Sequence, residues 1–577
     1  VSRLVRPLAH AAVKRVGELF GIFPLVFFRD QQRKQAWRKA AAGGRWDRRH
    51  RMWLASPDKV HAIVRRLRES GFAVRVDDDA LSLFETREAG RVHDLQLARD
   101  RIRRLDAEMR RRGLSLYPFQ VTGAEWLAQR DRALLGDQMG LGKTIQALAA
   151  VGNEAPVLVV CPASIKGVWA REFARWRPAF KISVLSGADS FRWPAAGEVV
   201  VINYDVLPDP HGGECPARLT PDDALTLSGP PPECHGCSDA IRQCPQGVVT
   251  VTDEAHKLRG SDTLRSIRFR AVAGAARARG GRTWLLSGTP LVNRPPELWN
   301  VLEAADLALE TFASKTEFNR LFGGKPRYVG KQIVGTVWSD SPLPEAAERL
   351  ASVMLRRMRA DVLSELPPRT WKTVPVELGD KDFAFVDETL ALMGMSASEV
   401  ADAVDKGREL NFRKLSAARA ALAAAKARVL VEYIRTEFEE ADEPVVVFSA
   451  HRAPIDLLAE RAGWRAITGS VAAKKRSQIE DEFQAGKLKG VALTIGAGAE
   501  GLTLTRASSV VFVDRDWTPA ANAQAEDRIY RIGQRAAHVF VHDLVTAHPL
   551  DQRVTEVLVK KAKLIAESVD AAAERSA

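Results

Sequence analysis

From Leu134 onward, short apolar runs alternate with stretches of helical spacing: Val157–Val160, Val199–Ile202, Val248–Val251 and Trp284–Leu286 each lie between amphipathic segments. A run that is apolar at every position suits a strand covered on both faces, so the alternation predicts a parallel sheet flanked by helices. The texture returns at Val445–Phe448, Val491–Ile495 and Val510–Val513. Two α/β lobes follow. The pattern divides the chain into an N-terminal module over 1–113, a first lobe over 114–301 and a mostly helical insertion and connector over 302–440. A second lobe over 441–550 and a terminal helix over 551–577 complete it. The connector ends in the Ala-rich stretch Ser416–Glu439, which predicts one long helix. Val554, Val557, Leu558, Leu564 and Ile565 have helical spacing, from which the last segment is expected to dock on the second lobe.

A length of 577 residues exceeds what a single core holds, in keeping with several domains. No apolar run reaches the ~18 residues that cross a bilayer, and Lys14 and Arg15 interrupt the one N-terminal stretch resembling a leader. The expectation is a protein that acts where it is made, cytoplasmic and nucleoid-associated in a bacterial or phage-like host, with no membrane contact. Five cysteines are too few for a disulfide scaffold and favour a reducing compartment. The net charge of +13 is uneven, because residues 1–113 hold 27 Lys and Arg against 14 Asp and Glu, and the remainder holds 58 of each. A basic appendage on a balanced body points to nucleic acid, where cations displace counterions from phosphates; a solvated basic face is the alternative.

Two segments carry chemistry. In GDQMGLGKT, Gly136–Thr144, Gly140 and Gly142 leave room for backbone N–H groups to wrap phosphate oxygens around Leu141. Lys143 adds a cation for the outer phosphates and Thr144 a hydroxyl for Mg²⁺. The strict phosphate-loop pattern has glycine at position 137, where this chain has Asp137. In TDEAH, Thr252–His256, a buried strand delivers Asp253 to hold the metal's water shell and Glu254 to take a proton. Together they read as ATP hydrolysis with Mg²⁺.

The ordered blocks LYPFQVTGAEWL, GDQMGLGKTIQ, VLVVCPASIKGVWAREF, TDEAH, LLSGTPLVNRPPELW and QAEDRIYRIGQ resemble the superfamily 2 helicases, specifically the Swi/Snf-type DNA-dependent ATPases, over residues 114–550. RPPELW after SGTP, and MLRRMRADVLSELPPR at 354–369, look most like the HARP-type annealing helicases. The resemblance implies an α/β fold of two RecA-like lobes with ATP in the cleft between them. It implies that Gln120 reads the adenine edge, and that Gln524, Arg528 and Arg531 complete the site from the second lobe. Their spacing of four then three puts them on one side if the segment is helical. Arg528 and Arg531 would act as fingers on the transferring phosphoryl group. Ser164, Lys166, Ser287, Thr289 and Thr503 are candidates for DNA-backbone contact or for coupling it to the ATP site, with caps and turns as their plain reading. Gln138, Ala499 and Tyr530 depart from the family's usual acidic residue, glycine and histidine without removing a catalytic group.

Residues 43–72 read as a hairpin followed by an amphipathic helix, with Trp46 and Trp53 among basic side chains. The stretch resembles the HARP module, and aromatics among cations suit stacking plus phosphate contact, or else form the core of a tiny domain. Inside the insertion at 206–247, Cys215, Cys234, Cys237 and Cys244 either hold one Zn²⁺ or remain free thiols; Cys161, at a strand end, reads as core. The expected partners are duplex or branched DNA and repair or replication proteins, with the chain a monomer. A non-catalytic DNA scaffold and a motor subunit of a restriction or defence complex are the rival readings.

Overall fold

In the computed structural model, residues 11–16, 19–24, 37, 45–47, 52–55, 60, 63–64, 67–68, 71–187, 190–210, 239–329, 332–363, 365–392, 394, 396, 399, 412–498, 502–531 and 533–573 are described. The first lobe is built on seven parallel strands. They are β6 (Arg132–Leu135), β7 (Val157–Cys161), β8 (Lys181–Val184), β9 (Glu198–Asn203), β10 (Val249–Asp253), β11 (Arg282–Leu286) and β14 (Met354–Leu355), in spatial order β14-β6-β11-β10-β7-β9-β8. The second lobe has six parallel strands: β15 (Arg369–Pro375), β16 (Val445–Ser449), β17 (Trp464–Ile467), β18 (Gly490–Thr494), β19 (Ser509–Phe512) and β20 (Val539–Val545), ordered β15-β20-β19-β16-β18-β17. Their central strands are buried throughout because helices cover both faces, which is why they read as unbroken apolar runs.

The segment 302–440 divides differently from the helical connector expected. It contributes an antiparallel hairpin, β12 (Lys325–Val329) with β13 (Gln332–Val337), then β14 to the first sheet and β15 to the second. Strand β15 is exposed at most positions, so its sequence carries no buried-strand signal. The Ala-rich stretch forms α4 (Phe412–Ile434), continued by a π-turn to Glu439.

At the N-terminus β1 (Ala11–Val16), β2 (Leu19–Pro24), β3 (Arg45–Asp47), β4 (Met52–Ala55) and β5 (Val74–Val76) form one sheet, ordered β3-β4-β2-β1-β5. The hairpin expected around the two tryptophans is β3–β4, with Trp46 opposite Trp53, and Val60, Ile63, Val64 and Leu67 supply the helical side of the core. Helix α1 (Asp78–Arg111) leaves this module and buries Ala98, Ile102 and Met109 in the core of the first lobe. The positive excess therefore belongs to the sheet module alone, since residues 1–76 hold 18 basic against 5 acidic residues. No helix among the described residues is long and apolar enough to cross a membrane.

The terminal helix α6 (Pro549–Ile565) corrects a second expectation. It starts against the second lobe, where Leu550 packs with Leu390 and Leu422, but Leu564, Val569 and Ala572 are buried in the first lobe's core. Helical spacing identifies an apolar face and not the body it meets.

Candidate functional site

Adjacent strands β6, β11 and β10 end abreast, with Leu135 opposite Leu286 and Leu286 opposite Asp253. Three loops thus leave one edge side by side, the usual position of ligand sites in open α/β sheets. After β6, Gly140 (φ 83°) and Gly142 (φ 71°) take left-handed conformations, and Gly142 caps the start of α3 (Lys143–Ala150). A methyl group on Gly142 would come within 2.4 Å of Gln120 Nε2, so the close approach requires glycine there. The residues fit a phosphate group: a left-handed glycine cradle, the unsatisfied N–H groups of a helix start, and a half-buried lysine. Lys143 Nζ donates to the carbonyls of Asp137 (2.8 Å) and Gln138 (3.4 Å). Burial pulls its ammonium down from the usual value, against the pull of Glu254, Asp137 and Asp253. Thr144 follows in the helix's first turn, half-buried.

Gln120, near the start of α2 (Pro118–Ala128), is buried; its Nε2 donates to Leu141 O (3.3 Å) and its Oε1 accepts from Tyr117 N (3.1 Å). Leu141, Phe119 and Leu363 form an apolar cluster beside it, and the Tyr117 and Phe119 rings stack at 5.5 Å.

Asp253 ends β10, accepting Trp169 Nε1 at 2.9 Å and Glu254 N at 2.9 Å. Burial, then the neighbouring Glu254, raises its carboxyl above the usual range. Glu254 occupies the left-handed region (φ 52°), a conformation costing about 1–3 kcal/mol in a non-glycine residue and found where side chains must be aimed. Burial would raise its carboxyl, but His256, Lys143 and Arg528 outweigh it and hold Glu254 ionised. His256 Nδ1 lies 3.2 Å from Glu254 Oε2.

From the second lobe, α5 (Pro519–Glu526) carries Gln524, but the helix stops at Glu526 and the next residues turn. The single helical face expected for Gln524, Arg528 and Arg531 is therefore replaced by a shared acceptor: both arginines donate to Leu502 O, at 3.3 and 3.2 Å. Arg528 Nε also bonds Gln524 O at 3.2 Å. A methyl group on Gly140 would sit 3.8 Å from Arg531 Cβ, and the Glu254 charge acts on Arg528 across the cleft. Burial brings the Arg528 guanidinium down to about 10, still charged at neutral pH. The geometry is that of a closed cleft.

Asp137, the departure from the strict loop pattern, is fully buried and accepts Arg357 Nε (3.0 Å), Arg357 Nη2 (2.5 Å) and Gln146 Nε2 (2.9 Å). Arg356 donates to the carbonyls of Gly136 (2.6 Å) and Gly288 (3.1 Å). Arg359 takes Gln138 Oε1 on its backbone N–H (2.8 Å) and donates to Tyr530 O (2.6 Å). Sequence reasoning missed all three arginines. The available signal was MLRRMRADV itself, with charges set in an apolar run beside the sheet.

The residues assigned to DNA separate. Ser164 is exposed and lines a groove of about 340 Å³ between the lobes with Lys257, Arg265 and Arg476. Lys166 gives its ammonium to Leu185 O, Ser186 Oγ and Asn203 Oδ1 at 2.8–3.1 Å, so its three donors are taken inside the first lobe. Ser287 is fully buried, 3.5 Å from His256 Nδ1, and accepts Thr289 N at 3.2 Å. It cannot touch a DNA backbone; it backs the TDEAH loop. Thr289 is half-buried beside it, and Thr503 N donates to Glu480 Oε1 at 2.8 Å in the second lobe. Trp53 is half-buried against the module core, whereas the Trp46 side chain lies outside the described residues. Cys215, Cys234 and Cys237 also lie outside them. Cys244 is buried in the first lobe's core, where burial pushes its thiol up to about 11. Cys161 is core, as expected.

Residues 119–417 match the SNF2-related domain and residues 425–533 the helicase conserved C-terminal domain. The chain belongs to the SNF2-related family. Among relatives of this SNF2-related chain is the DNA annealing helicase and endonuclease ZRANB3 of Mus musculus, 31% identical over 479 residues, 80% of this chain and 41% of that protein. Another is the SWI/SNF-related matrix-associated actin-dependent regulator of chromatin subfamily A-like protein 1 of Xenopus tropicalis, 30% identical, covering 79% and 45% respectively. The chain thus spans less than half the length of these relatives. The solved Sulfolobus solfataricus SWI2/SNF2 ATPase core in complex with dsDNA aligns at TM-score 0.34 and 20% identity, over 79% of this chain and 94% of that one.

Proposed function

We propose that the chain is a DNA-dependent ATPase whose two lobes close on ATP and Mg²⁺ to drive motion along duplex or branched DNA, remodelling or reannealing strands. One observation carries the reading: Gly140 of the phosphate loop on one wall comes up against Arg531 on the other, with Glu254 close enough to Arg528 for their charges to act on each other. Gly140, Gly142 and Lys143 bind the phosphates; Gln120 sits to orient the base beside Leu141 and Phe119. Thr144 and Asp253 would hold Mg²⁺, which supplies charge neutralisation on the triphosphate when bound. Glu254, ionised, accepts the proton of the attacking water, and the two arginines stabilise charge on the transferring group. Because these groups sit on separate bodies, closure completes the site, and a nucleotide contacting both walls favours the closed state.

The groove beside Ser164, with Lys257, Arg265 and Arg476, is where DNA phosphates would lie, and the basic N-terminal module would hold a branch or flanking duplex. The names of the annealing-helicase relatives support this substrate class. Zinc at the Cys-rich insertion would staple a loop and take no part in the reaction. The test is ATP turnover with and without duplex DNA: Lys143→Ala and Glu254→Gln are expected to abolish DNA-stimulated turnover. Turnover at the parental rate in either variant refutes the site.

A further inference from the structure

The last helix reaches the nucleotide pocket from behind. Its root is in the second lobe: Asp551 accepts Thr546 N (2.8 Å) and pairs with the buried Lys426 (2.5 Å), which also donates to Val513 O and Leu544 O in the second sheet. Midway, Lys561 Nζ donates to Trp517 O (2.6 Å) in the second lobe and to Asn293 Oδ1 (2.9 Å) in the first. Beyond it, Leu564, Val569 and Ala572 enter the first lobe's core near Ala346, Ala347 and Leu350. There Asp570 meets Arg356, its Oδ1 accepting from Nε at 2.7 Å and lying 2.5 Å from Nη2.

Arg356 is buried, and its remaining donor, Nη1, clamps two carbonyls together. Gly136 opens the phosphate loop. Gly288 follows β11, and a methyl group on it would lie 3.3 Å from Lys143 Nζ and 2.5 Å from Met139 Cγ. One guanidinium therefore fixes the two loops that press on Lys143, and its orientation is set from the opposite edge of its fork by Asp570. A planar fork held by a carboxylate on one edge has little freedom to leave acceptors on the other.

We propose that Asp570 is a positioning residue for the nucleotide pocket, acting through Arg356 on Gly136 and Gly288. Because its helix is rooted in the other lobe, it ties the shape of the phosphate loop to the spacing of the lobes. This rests on the reading of the pocket as an ATP site. Loss of the carboxylate frees the buried guanidinium to turn toward water. The loops around Lys143 then hold the triphosphate less well, while Glu254, Arg528 and Arg531 remain in place. The consequence falls on ATP affinity before it falls on the chemical step.

The experiment uses the full chain and measures kcat and KM for ATP with saturating duplex DNA, alongside melting temperature. Asp570→Asn is expected to raise KM about tenfold, as for loss of a charge-assisted hydrogen bond, with kcat within about twofold of the parent. Asp570→Glu should recover part of the loss. Arg356→Gln combined with Asp570→Asn should be no worse than Arg356→Gln alone, because the two act in series. A parental KM in Asp570→Asn overturns the proposal, as does a lower kcat and melting temperature at unchanged KM, the outcome for a helix that only supports the fold. Lys143→Ala separates the two claims. Turnover surviving in it defeats the ATP-site reading, whereas its inactivity beside a parental Asp570→Asn defeats only the positioning role.

Discussion

Arg359 crosses the cleft to donate to the carbonyl of Tyr530 at 2.6 Å, its guanidinium lying 4.9 Å from the Tyr530 ring. The same guanidinium pairs with Asp527, and both side chains are buried. Burial raises the Asp527 carboxyl despite this cation, so the carboxylate depends on its partner from across the chain. The segment bearing both proposed fingers is thus pinned to the residue whose backbone also binds Gln138 in the phosphate loop.

Arg359→Ala takes the hydrogen-bonded partner from a buried carboxylate and leaves it only the more distant charges of Arg369, Arg528 and Arg531, a loss that costs up to about 3–5 kcal/mol. We expect destabilisation of that order in denaturant titrations and at least tenfold slower ATP turnover. Arg359→Ala with Asp527→Asn should be more stable than Arg359→Ala alone, since the buried charge without its hydrogen-bonded partner is gone. A double variant at least as unstable as the single one contradicts this account.

Replacing Asp137 by glycine would restore the strict phosphate-loop pattern, and the expected result is a poorer protein. Arg357 would lose its carboxylate and Gln146 an acceptor in a site closed to water. Unfolding free energy should fall by about 3–5 kcal/mol. A variant as stable as the parent would show that Arg357 finds equivalent partners.

His542 gives a pH signature. Burial, then the Lys372 charge, lowers its imidazole to about 4, and its Nδ1 sits 2.7 Å from the Tyr433 hydroxyl. An unfolded histidine takes its proton near pH 6.5, so the unfolded state binds more protons between roughly pH 6.5 and 4. Stability from this residue is complete above that window and is lost as the pH falls through it, by about 3 kcal/mol at most. His542→Gln should flatten the slope of unfolding free energy against pH there. An unchanged slope would place the titration elsewhere.

Where the N-terminal module is cut should matter. Removing residues 1–76 takes away the basic excess, and should weaken duplex binding and flatten its salt dependence without lowering turnover on saturating DNA. Removing 1–113 also strips Ile102 and Met109 from the first lobe's core and should depress the melting temperature. Equal melting temperatures for the two truncations would deny α1 its part in that core.

The sequence made most central strands legible because burial on both faces leaves a run such as Val157–Val160 or Val445–Phe448 with no polar position, whereas the inner strand β20, broken by His542 and Asp543, went unread. Edge strands lack that constraint: β8 is partly exposed and β15 mostly so, and both went unread. Gly140, Gly142, Lys143, Asp253 and Glu254 were legible because phosphate and metal chemistry restrict residue type and spacing together. Arg356, Arg357 and Arg359 were not, because a buried charge is explained only by partners far along the chain, here Asp570, Asp137 and Asp527. Asp137 looked like a defect for the same reason. Ser287 was a candidate for DNA contact or for coupling to the ATP site through the family resemblance, and its burial beside His256 leaves it only the second of these.

Helix α1 has one end tied to the N-terminal sheet, where Asp77 N donates to Val13 O at 3.0 Å, and the other sunk in the first lobe. Its 34 residues form a rod about 50 Å long. A swing of that lobe by roughly 10° would carry the far tip about 9 Å, more than two base-pair rises, so a modest stroke at the hub becomes a long sweep at the rim. Shortening the rod by whole turns would shrink that sweep while leaving the hub untouched, the behaviour of an oar cut closer to its lock.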